Sequence, residues 1–141
     1  MKIMAIDYGD AHTGVAVSDR TRTICGFSAV VTAYRPEALI ERLLDLIREH
    51  EVSELVLGHP LNMNGSRGPR AEKAEAFADQ LRAATGLPVT LWDERRTTID
   101  AHNILAGNGK RAKERKKTVD AVAASLMLEG YLMRTERIRR P

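Results

Sequence analysis

At 141 residues, 43% of them hydrophobic and 29% charged, the chain has the size and composition of one domain, 1–141, with an ordinary core. No apolar run approaches the ~18 residues a membrane span needs, and no charged-then-apolar leader opens the chain, so a cytoplasmic protein that meets no membrane is expected. The net charge of +3 is mild, and the single cysteine, Cys25, excludes an internal disulfide framework and reads as a packing residue. Residues 2–7 read as a strand ending on Asp7, 14–19 as a second, and 23–32 as a third, an antiparallel meander. A helix starts at Arg35-Pro36-Glu37, with Leu39, Ile40, Leu43, Leu44 and Ile47 as its apolar stripe. Residues 54–57 form a short buried strand, followed by a loop from His59 to Ser66. A second helix over 69–84 is closed by Gly86 and Pro88. Residues 88–92 are a fifth strand, 97–106 a short helix, 107–117 a basic loop and 118–134 a last helix. The order β-β-β-α-β-α-β-α-α predicts an α/β fold, a mixed five-stranded sheet flanked by helices, compatible with ribonuclease H-like architecture.

The carboxylates carry the chemistry. Asp7 ends the first strand, Asp93 and Glu94 follow the fifth, and Asp120 lies in a last helix that is apolar almost all round. A lone buried carboxylate is expensive, so acids from separate elements that converge are best explained by shared divalent cations. Two-metal sites hold ions ~3.5–4 Å apart in this way, and Mg²⁺ or Mn²⁺ suits oxygen donors. Successive strand side chains point to opposite faces, so only one of Asp93 and Glu94 faces the site if both are extended; Glu94 is slightly favoured. Taken alone, Asp7 also suits a turn, and Asp120 a helix first turn favoured by the dipole.

Lys110 to Lys117 places six basic groups in eight positions next to Asp120, a pattern that attracts phosphate backbones. Arg95, Lys116 and Lys117 are the candidate substrate contacts among the basic residues. Gly9 suits a close backbone approach or a plain hairpin turn, while Asn62 and Asn64 suit hydrogen bonds to nucleic acid or an ordinary turn. No Walker-type loop or Gly-x-Gly-x-x-Gly is present, and the four histidines lack zinc-ligand spacing. The chemistry also admits a junction-cutting DNA endonuclease, and a binding factor without catalysis is a rival of another class.

Four ordered motifs resemble the YqgF (RuvX-type) family. They are Ile6-Asp7-Tyr8-Gly9 with Gly14–Asp19, Val56–Gly65, Asp93-Glu94-Arg95-Arg96-Thr97-Thr98, and Lys116–Ala124. The resemblance spans essentially the whole chain. It implies an RNase H-like fold, a cytoplasmic bacterial protein and a role in maturing the 5′ end of small-subunit ribosomal RNA. The expected partner is precursor rRNA, free or within the ribosomal small subunit, with branched DNA as the other candidate, and a monomer and a homodimer are both open. By motif, Asp7, Glu94 (or Asp93) and Asp120 would be the catalytic, metal-binding acids. Asp10 and His59 depart from the family pattern, and Asp10 adds a fourth negative charge near the site.

Overall fold

A computed structural model of the chain describes residues 2–93 and 112–139, the latter with side chains over 121–135. Strands β1 (Lys2–Asp7), β2 (His12–Ser18) and β3 (Cys25–Thr32) form the expected antiparallel meander. Helix α1 (Pro36–His50) leads to β4 (Val52–His59), α2 (Pro69–Thr85) to β5 (Val89–Asp93), and α3 (Ala112–Arg139) closes the order. The sheet runs β3-β2-β1-β4-β5, with β1–β4 and β4–β5 parallel. The mixed five-stranded, RNase H-like sheet is therefore present.

Several boundaries differ from the expectation. β2 begins at His12, two residues before Gly14, because His12 and Thr13 still pair with Thr32 and Val31. Asp19 leaves β2 to make a turn: its carboxylate accepts from the Thr21 hydroxyl (2.6 Å) and the Thr23 N–H (3.0 Å). Residues 112–117 are helical rather than a loop. Lys, Arg and Glu are good helix formers and no Gly or Pro interrupts them there, so charge alone was a poor reason to expect a loop. The short helix expected over 97–106 and the loop over 107–111 lie outside the described residues.

Alternation along the strands builds two cores. Met4, Ile6, Val15, Leu55 and Leu57 meet Leu39 and Leu43 of α1 and Phe77 and Leu81 of α2. Ile3, Ala5, Ala16 and Val56 point the other way and meet Ala124, Met127, Leu128 and Leu132 of α3. Each large side chain fully buried in this way contributes roughly 1.5–3 kcal/mol. Alanines on the second face let α3 approach closely, and a Cβ at Gly130 would sit 3.2 Å from the Trp92 ring. The Tyr131 hydroxyl donates to Glu54, which also pairs with Arg22 at 3.0 Å. Half-buried Cys25 packs in this second core, 3.7 Å from Ser125, as expected of a packing residue.

Candidate active site

Asp7 ends the strand at the centre of the sheet. It pairs in register with Gly14 and is half-buried, and its carboxylate has no hydrogen bond or ion pair with any described residue. By alternation it shares the face of Ile3 and Ala5, the face that α3 covers. The chain then turns sharply. The Gly9 N–H donates to the Thr13 hydroxyl (3.3 Å), and a Cβ on Gly9 would lie 2.2 Å from the His12 carbonyl oxygen. Glycine is required here because the hairpin closes on itself.

Tyr8 goes to the opposite face and stacks on Phe77, with ring centroids 4.2 Å apart and planes 9° from parallel. Burial pushes its phenol pKa up, partly opposed by Lys73. The Lys73 ammonium binds Asp10 at 2.5 Å and lies 5.7 Å from the centre of the Tyr8 ring. The extra charge noted at Asp10 is thus met by a lysine from α2. A cleft of about 480 Å³ opens here, lined by Asp7, Gly9, Asp10, His12 and Arg70 among others.

The loop after β4 is knitted by its own side chains. The Asn62 amide donates to the Ser66 hydroxyl (2.9 Å), and the Asn64 side-chain carbonyl accepts from the Ser66 N–H (2.9 Å). Turn formation accounts for both asparagines, and Gly65 takes a left-handed φ of 87°. His59 reaches Glu75 of α2 at 2.6 Å, and Arg67 grips the same carboxylate with a 2.8 Å Nε bond and a second bond from its terminal nitrogen. These bonds, Arg67 foremost, hold the Glu75 carboxyl down at about 2.

Asp93 is the exposed last residue of β5 and pairs in register with His59. His59 points to α2, so Asp93 shares the α1–α2 side of the sheet, opposite Asp7. Glu94 and Arg95 lie outside the described residues. Lys116, Lys117 and Asp120 lie on α3 by backbone, and their side chains are outside the description. Among the described residues no three acids, histidines or cysteines converge on one point. Arg70, Lys73 and Glu75 were not anticipated. The usable signal was the spacing of Arg70, Lys73 and Ala74, which puts them on one face of α2.

A mixed sheet in this order, with a carboxylate ending its central strand, defines an RNase H-like fold. Two solved structures share the fold. Thermus thermophilus RuvC with a Holliday junction substrate aligns with TM-score 0.62 and 16% identity over 96% of each chain. Fowlpox virus resolvase with Holliday junction DNA aligns with TM-score 0.57 and 13% identity, covering 99% of this chain and 100% of that one. Residues 1–134 match the RuvX family, described as Holliday junction resolvase, and the chain belongs to it. Relatives from Pelotomaculum thermopropionicum (44% identity, 99% of this chain and 92% of that one) and Halothermothrix orenii (43%, 94% of each) are both named "Putative pre-16S rRNA nuclease". Among the described residues, no helix is long and apolar enough to cross a membrane.

Proposed function

We propose that this chain is a divalent-metal-dependent phosphodiester hydrolase that processes the 5′ end of precursor 16S ribosomal RNA in the cytoplasm. The observation that carries the reading is Asp7: a half-buried carboxylate at the end of the central strand, with no protein partner among the described residues, in a chain matched over residues 1–134 by a resolvase family. An oxygen donor left open in this way fits Mg²⁺ or Mn²⁺. Asp7, Glu94 and Asp120 would hold the ions. The placement of Asp93 on the α1–α2 side of the sheet, away from Asp7, supports Glu94 over Asp93 as a ligand. Bound ions would polarise the phosphoryl group and lower the pKa of a water nucleophile. Arg95, Lys116 and Lys117 would hold the RNA backbone, with the loop shaped by Asn62 and Asn64 alongside.

The test is cleavage of end-labelled precursor rRNA and of a four-way DNA junction in Mg²⁺ or Mn²⁺, by wild type and Asp7→Asn. The expected result is RNA cleavage that needs metal and is lost in a folded mutant. Full activity in Asp7→Asn would sink the mechanism. Cleavage of the junction alone would move the substrate to branched DNA, in line with the family's description.

A further inference from the structure

Three cations line up where α2 begins, and two are already engaged. Arg67 is clamped on Glu75, and Lys73 is bound to Asp10. Arg70 is exposed and has no acid partner among the described residues. The nearby Glu72 is two positions along the helix, a spacing at which side chains do not face each other. Yet Arg70 lines the cleft that contains Asp7, and it also lines an adjoining pocket of about 200 Å³ that reaches Gly58 and Pro60. Gly9 lines both, and its contact with the His12 carbonyl leaves no room for a side chain there. Asp10 would repel an anion in this cleft, and its bond to Lys73 offsets that charge.

We propose that Arg70 grips a backbone phosphate of the substrate strand and positions the phosphodiester beside Asp7. A guanidinium presents a planar fork of donors that matches two phosphate oxygens at once. Arg70 is the cation in this cleft with its fork uncommitted among the described residues. The inference rests on the nucleic-acid substrate of the preceding reading but not on cleavage itself.

The experiment compares Asp7→Asn with Asp7→Asn/Arg70→Ala in binding a labelled single-stranded RNA taken from the precursor, over a KCl series. A lost charge-assisted contact should weaken binding about 10-fold or more. The slope of log affinity against log salt should fall by about 0.7, the contribution of one single-strand phosphate. In the catalytic background, Arg70→Ala should lower kcat/KM about 100-fold, and Arg70→Lys should recover part of that loss, because it keeps the charge and loses the fork. An unchanged salt slope overturns the proposal, whatever the effect on rate. A reduced slope in a wild type that cuts no RNA leaves Arg70 as a phosphate contact and removes the nuclease reading. An unchanged slope with intact RNA cleavage does the reverse. Arg70 is on the surface, so the variants should fold, and circular dichroism checks that they do.

Discussion

Replacing Gly9 with alanine puts a methyl group 2.2 Å from the His12 carbonyl oxygen, well inside the 3.0 Å below which Cβ contacts essentially never occur. The obstacle is backbone, so no side chain can swing aside. The hairpin between β1 and β2 must open, and the Gly9–Thr13 hydrogen bond is strained with it. Overpacking against fixed atoms puts the cost at about 3 kcal/mol. For a chain of this length that lowers Tm by about 9 °C. The control is Gly26→Ala, where the nearest atoms are 3.5 Å away; its stability should stay within about 0.5 kcal/mol of wild type. Urea unfolding followed by Trp92 fluorescence gives both numbers. Asp7 and Asp10 flank the turn, so rRNA cleavage by Gly9→Ala should also fall, by about 100-fold for a displacement near 1 Å. A Gly9→Ala protein as stable as Gly26→Ala would refute the steric argument.

Other outcomes follow from the same geometry. Phe77→Ala removes a ring that is 2% exposed and stacked on Tyr8; equilibrium unfolding should show a loss of about 3–5 kcal/mol. Tyr131→Phe leaves Glu54 with Arg22 alone, and urea midpoints should report about 1.5 kcal/mol. Glu75 has its carboxyl depressed from 4.5 to about 2, chiefly by Arg67 and then His59. A carboxyl depressed in the folded state stabilises fully above its unfolded pKa and loses that contribution as pH falls toward the folded value. Wild-type stability should therefore decline between about pH 4.5 and 2, and Glu75→Gln should flatten that part of the curve in urea midpoints taken across the window.

The strands and the first two helices were readable because their apolar residues recur with periods of two or three to four, and Pro36, Gly86 and Pro88 punctuate them. The start of β2 escaped because His12 and Thr13 look like turn residues; Thr13 is fully buried and accepts the Gly9 hydrogen bond. The early start of α3 escaped because a charged helix has no apolar stripe to announce it. Asp7 could be picked out because it breaks an apolar run. The partners across the cleft could not, since Lys73 is 63 positions from Asp10 and meets it only through the parallel crossover. The choice between Asp93 and Glu94 turned on where β5 ends, and one residue of register reverses it. β5 ends at Asp93, and Glu94 lies outside the described residues.

β1 has neighbours on both edges and a helix layer on both faces, and its residues Ile3 to Ile6 have no exposed surface. Strands in that position open only when the whole molecule does, whereas edges such as β3 and β5 fray at lower cost. In a deuterium-exchange experiment the β1 amides should be the slowest, exchanging at the rate of global unfolding. Asp7 is thus mounted on the last part of the protein to move. Fraying at either edge leaves the carboxylate in place, and on heating, cleavage and global structure should disappear together.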